Sequence, residues 1–184
     1  MDKENLAVVR QSLANAAFSH KIHEVASDRK DKAANQFRII DICIISLVLI
    51  LLIVQTQVPS NLVFSIVGAS LTGAEIIFMI VKLNFHFDED AVAHKNTALK
   101  YMSLRDRYKS LIVDIVKQSI KQVEIVKRRD QLLNEYQMIS DLALQTSRDD
   151  YDEAMKRLKI KEDNKNIWSD VQIDNFLPKE LHKK

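Results

Sequence analysis

Residues 37–56 read FRIIDICIISLVLILLIVQT, residues 62–81 read LVFSIVGASLTGAEIIFMIV, and the link between these runs is QTQVPSN, residues 55–61. Crossing ~30 Å of hydrocarbon takes about 20 apolar residues at ~1.5 Å of rise each. The second run meets that length with 20 residues and one charge, Glu75. The charge-free part of the first, Ile42 to Val54, has only 13 residues. It reaches full length by including its ends, with Arg38 extending its guanidinium to the headgroups. A link this short forces the two helices to be antiparallel neighbours, and Pro59 breaks the helix there. Two apolar runs of this kind are also found as buried hairpins in soluble proteins. A second run of full spanning length and an uncharged link favour two transmembrane spans.

Charge outside the runs orients them. The link carries no Lys or Arg, whereas Lys21, Arg29, Lys30, Lys32 and Arg38 precede the first span and Lys82, Lys95 and Lys100 follow the second. By the positive-inside rule both termini face the cytosol. The apolar run begins too late for a cleaved secretory signal, so it is expected to remain as a span.

Two Gly and two Pro in 184 residues leave few sites for the tight turns that sheets and loops require. The fold class is therefore all-α: a two-span hairpin (37–82) with a cytosolic bundle or coiled coil. An amphipathic N-terminal helix (1–36) and a long segment after the membrane (83–146) build that bundle, followed by a charged helix and tail (147–184). Leu6, Val9, Leu13, Ala16, Ala17, Ile22 and Val25 give the N-terminal helix one apolar stripe. Tyr101, Leu104, Tyr108, Leu111 and Ile115 step by three and four, the spacing of a coiled-coil seam, here assigned to oligomer or helix–helix contact. Ile125, Leu132 and Ile139 continue it, while Val116, Val123, Val126 and Leu133 add a second stripe. A continuous helix from 91 to 145 would extend ~80 Å and leave these stripes bare, so a hairpin folded onto the N-terminal helix is favoured. Ser147 is placed to cap the next helix, with acids in its first turn. Trp168, Phe176 and Leu177 either dock back on the helices or contact a partner.

Within the spans the polar residues define the candidate site. An ionisable side chain in hydrocarbon costs about 2.5–3.5 kcal/mol on insertion scales and usually faces protein or water. Gly68, Thr72, Glu75 and Met79 share a helical face, and Ser65, Ala69 and Gly73 form an adjoining ridge of small residues that permits close helix approach. Such a helix suits an oligomer whose polar stripe, Gly68, Thr72 and Glu75 with Asp41 of the first span, lines an aqueous path. Rings of carboxylates there favour cations. The bland reading has Glu75 protonated, or hydrogen-bonded within a structural contact, and Asp41 merely wet.

Other chemistry is sparse. The net charge of +2 is interleaved, which excludes the concentrated basic face of a nucleic-acid binder. KRRD (127–130) is a solvated helix face and at most a site for an anionic partner. Cys43 is the only cysteine, within an apolar run, so no disulfide or zinc framework is expected. His20 and His23 lie one turn apart without a recognisable third ligand, and His86 and His94 read as isolated and solvated. With no phosphate loop, G-x-S-x-G or H-E-x-x-H, neither an enzyme nor a cofactor is expected.

The order of parts, an amphipathic helix, a two-span hairpin with a very short link, then Tyr101, Leu104, Tyr108 and Leu111 within ALKYMSLRDRYKSLIVDI, resembles the SLATT family. These are two-span proteins found with bacterial nucleotide-signalling defence systems. The resemblance spans roughly residues 15–139 and carries no catalytic residues. It implies a homo-oligomeric pore-forming effector of the bacterial inner membrane that arrests an infected cell. Its partners would be membrane lipid and an upstream sensor or nucleotide-signal enzyme. The alternatives are a membrane-anchored helical scaffold that recruits cytosolic partners, or an accessory transporter subunit.

Overall fold

The computed structural model describes residues 2–57, 62–160 and 168–182. Pro59 and residues 161–167 lie outside them. Among the described residues every regular element is helical. The order is α1 (Lys3–Gln57), α2 (Leu62–Leu83), α3 (Phe87–Val116), α4 (Gln122–Leu142), α5 (Arg148–Arg157), α6 (Asp170–Asp174) and a 3-10 turn at Lys179–Leu181. These elements form two units. A helical unit takes the chain up to Ser27 and from Val92 onward, and a hairpin unit comprises Asp28–Ala91.

In the helical unit the first half of α1 is the central element. Val9, Leu13, Ala14 and Ala16 share one core with Tyr101, Leu104, Tyr108, Leu111, Ile112 and Ile115 of α3 and with Ile125, Leu132 and Ile139 of α4. The three-four stripe from Tyr101 to Ile115 is thus consumed within the chain: all five of its residues are buried. Of the two contacts that this stripe suits, oligomer or helix–helix, the one seen within the chain is helix–helix. A helix that packs on a neighbour in its own chain needs the same apolar spacing as one packing on another copy. The second stripe behaves otherwise, since Val116, Val123 and Leu133 remain exposed.

The long post-membrane segment is broken between α3 and α4 without glycine or proline. Gln118 adopts φ 52°, the N–H of Ser119 donates to the carbonyl of Asp114 (3.0 Å), and that of Gln118 donates to the carbonyl of Ile115 (3.2 Å). This is a Schellman ending with glutamine in the left-handed position that glycine usually takes. Lys159, at φ 53°, ends α5 in the same way. Ser147 caps α5, its hydroxyl accepting from the backbone N–H of Asp150 (3.2 Å) while the Asp150 carboxylate accepts from the N–H of Ser147 (2.9 Å).

The C-terminal segment covers a second face of α1, which is why burial there exceeds one stripe. Arg10 donates to Asp174 (2.5 Å) and to the carbonyl of Leu181 (3.0 Å). The Gln11 amide spans the backbone of Trp168, donating to its carbonyl (2.7 Å) and accepting from its N–H (3.1 Å). The Trp168 indole donates to Asn15 (2.7 Å) and meets Phe18 edge-on. Ile173 and Leu177 join the core, with Phe176 packed against it. Trp168, Phe176 and Leu177 therefore dock on the chain's own helices, the first of the two arrangements that the sequence allows.

Candidate functional site

The hairpin unit pairs the second half of α1 with α2, and its less exposed positions repeat the three-four pattern on both helices. On α1 they include Ala34, Phe37, Asp41, Ile44, Val48, Leu51 and Gln55; on α2 they include Phe64, Gly68, Leu71, Glu75, Phe78 and Lys82. Those stripes face each other. Gln55 donates to the Ser65 hydroxyl near the link (2.8 Å), and Lys82 donates to Asp41 near the other end (2.5 Å). Beyond that pair Phe37 stacks on Phe78 and meets Phe87, which lies flat on Phe85. Lys30–Asp90 (2.6 Å) and Arg38–Asp88 (3.3 Å) close the same end.

Away from the stripes the surface is mostly apolar and bare, and the hydroxyls of Ser46 and Thr72 return to carbonyls of their own helices. Ile39, Ile42, Leu49, Ile53, Ile66, Ile77 and Ile80 are exposed. The most apolar 18-residue windows of the two helices are 0% and 11% buried by protein. A core helix of a soluble protein would be largely covered, so these surfaces suit lipid as their solvent.

Of the polar residues singled out in the spans, the structure gathers three and separates the rest. Asp41, Gly68 and Glu75 lie on the seam, and Lys82 belongs beside them, paired with Asp41. Thr72 does not join. It faces outward, its hydroxyl returned to the carbonyl of Gly68 (2.9 Å). At about 100° per residue, Thr72 sits some 60° from Glu75 on the side opposite to Leu71 and Phe78, and so falls off the seam. Of the small-residue ridge, Ala69 and Gly73 are exposed, and a Cβ at Gly73 would meet nothing within 4 Å. Only Ser65 of the ridge meets α1, through Gln55.

Glu75 is only 8% exposed, and neither of its carboxylate oxygens has a hydrogen-bond donor. Asp41 Oδ1 is likewise buried without one, since Lys82 binds Oδ2. The sequence signalled Glu75 and Asp41 separately. It gave no sign of the lysine that answers one of them, because Lys82 reads equally well as an orienting charge.

In the helical unit a second polar group is buried. The Nδ1 atoms of His23 and His94 are 3.0 Å apart, and His23 stacks on Tyr101. His94 is 2% exposed, which corrects its reading as solvated; its neighbour in space lies 71 positions away. His20 does not form this contact, and no group of three or more potential metal ligands occurs among the described residues. Burial, reinforced by His94, lowers the His23 pKa to about 4. A histidine held neutral in the folded state must gain a proton on unfolding. It therefore supports the fold above its unfolded value near 6.5, and this support is lost as pH falls from there through about 4. The thermal midpoint of the helical unit should drop over that interval. In His23→Gln the drop should be shallower, and an unchanged profile would count against this source. Beside His23 an open cleft of about 440 Å³ is lined by Ser19, Tyr101, Tyr136, Ser140 and residues 143–146. Four of its hydroxyls are already paired, Ser19 with Tyr136 (3.0 Å) and Tyr101 with Ser140 (2.8 Å).

Residues 6–168 match the model of the SMODS and SLOG-associating 2TM effector domain, family 4. No curated protein and no solved structure matches the chain.

Proposed function

From the premise that this chain belongs to the SMODS and SLOG-associating 2TM effector domain family, and so carries a membrane effector domain of nucleotide-signalling defence, we propose that it acts by homo-oligomerising and permeabilising the membrane. The membrane would be the bacterial inner membrane with both termini in the cytosol, as the positive charges flanking the hairpin favour. The observation that carries the reading is a hairpin bare to lipid that holds two carboxylates in its seam. Two helices cannot enclose water, and here side chains fill the space between them. Conduction therefore requires several copies, with the seams opened toward a shared path. The exposed ridge of Ala69 and Gly73 is the face on which a neighbouring hairpin can approach closely. Asp41 and Glu75 would then furnish fixed negative charge that favours cations. The helical unit would receive the activating signal from an upstream sensor or nucleotide-signal enzyme.

Induction in bacteria should depolarise the membrane and arrest growth. Gly73→Leu should abolish both by blocking close approach, and Glu75→Gln should reduce both by removing the charge. Where a trigger is missing in cells, the purified chain in liposomes replaces the assay and should release a trapped fluorophore. Liposomes that stay sealed while the helical unit captures a cytosolic protein would replace this reading with that of a membrane-anchored scaffold.

A further inference from the structure

We propose that the Asp41–Glu75 pair inside each hairpin is a proton-binding site, holding a single exchangeable proton between the two carboxyls while Lys82 balances the remaining charge. This rests on the reading of the hairpin as membrane-embedded, and not on conduction.

Three carboxylate oxygens, both of Glu75 and Oδ1 of Asp41, are buried without a donor in one stretch of the seam. Asp41 bears on Glu75 from the facing helix, and carboxyls buried this way without a donor are satisfied when a proton lies between them. The charged groups bearing on Glu75 are few. Asp41 faces it from α1 and Lys82 from its own helix, while Arg38 and Lys30 are engaged by Asp88 and Asp90. Two carboxylates and a single ammonium leave the cluster one negative charge in excess. In hydrocarbon an uncompensated charge is costly, and a shared carboxyl proton removes it while supplying the missing donor. An alkali ion would need several more oxygen ligands, and the backbone carbonyls of these helices are committed to their own hydrogen bonds. With the proton bound, the seam is neutral and the hairpin closed. Its loss places repelling carboxylates on opposite helices, so the site also biases the two spans apart.

Dicyclohexylcarbodiimide tests this directly, because it partitions into lipid and reacts with protonated carboxyls. The carboxyl proton passes to a carbodiimide nitrogen and the carboxylate oxygen adds to the central carbon. The O-acylisourea then rearranges to a stable N-acylurea. The full chain in phosphatidylcholine vesicles should acquire a single adduct, mapped by peptide mass spectrometry to Glu75 or Asp41. Labelling should fall as pH rises and should not change when sodium is exchanged for choline at fixed pH. Glu75→Gln should abolish it, since Asp41 and Lys82 then balance, whereas Glu75→Asp, which keeps the carboxyl, should retain it. Lys82→Gln should add a second adduct, because both carboxyls then need a proton. Absence of any adduct at these residues would overturn the proposal, as would a single adduct in Lys82→Gln. Protection by sodium at fixed pH would make the site one for an alkali cation instead. Sealed liposomes in the leakage assay would leave all these outcomes readable.

Discussion

Leu104→Ala is expected to destabilise the helical unit by about 2–5 kcal/mol, the range for truncating a buried leucine whose surroundings cannot fully collapse. Leu104 is 0% exposed and sits where α3 meets α1 and α4, in one core with Val9, Leu13, Tyr108 and Leu132. Three helices bound the site, so a shift of one cannot fill the void. A domain of this size is stable by only about 5–15 kcal/mol, and the loss is a large share of it. Hydrogen exchange of the full chain in detergent would read the effect. Amides of α3 and of the first half of α1 should lose protection by roughly two to three orders of magnitude, whereas Leu104→Met, which nearly conserves volume, should change them little. Equal protection in the alanine variant would mean that this core does not hold the helices together.

Arg10→Ala is expected to release the C-terminal segment. Arg10 is almost wholly buried, it holds Asp174 and the carbonyl of Leu181 at once, and Asp174 is itself only 16% exposed. Removing one member of a buried ion pair typically costs about 3–5 kcal/mol, chiefly because the other charge is left uncompensated. The loss should fall on docking of residues 168–182 rather than on the core beneath. Amides of that segment should exchange at least a hundredfold faster, and a protease should remove it first. Arg10→Lys keeps the charge but cannot reach both acceptors, and should lie between. If the segment stays protected in Arg10→Ala, the apolar contacts of Ile173 and Leu177 suffice to hold it.

The stripes were the most legible part of the sequence, and the least informative about partners. Tyr101 to Ile115 could be read as a face that must be covered, and the bareness of a continuous helix already favoured the N-terminal helix as its cover; the three-four spacing alone fits another copy equally well. The same holds within the hairpin. Gly68, Thr72 and Glu75 share a loose helical face, yet packing against α1 selects Gly68 and Glu75 and turns Thr72 away. Lys82 and His94 were legible only as residue types. Each acquires its meaning from a residue 41 or 71 positions distant. The break at Gln118 carried no signal either, because glycine and proline are the usual markers of a helix end and neither is present.

By itself the sequence determined that the chain is helical, that two runs are apolar enough to cross a bilayer, and that two carboxylates lie within them. Those are properties of local composition and of a 3.6-residue period, and burying apolar surface is non-directional, so they survive without knowledge of the neighbours. The tertiary structure alone decided which faces meet. It paired Asp41 with Lys82 and left Glu75 unanswered beside them, buried His94 against His23, and spent the coiled-coil seam and Trp168 inside the chain. Such pairings depend on directional contacts between residues far apart in sequence, and only the packed helices bring those within reach.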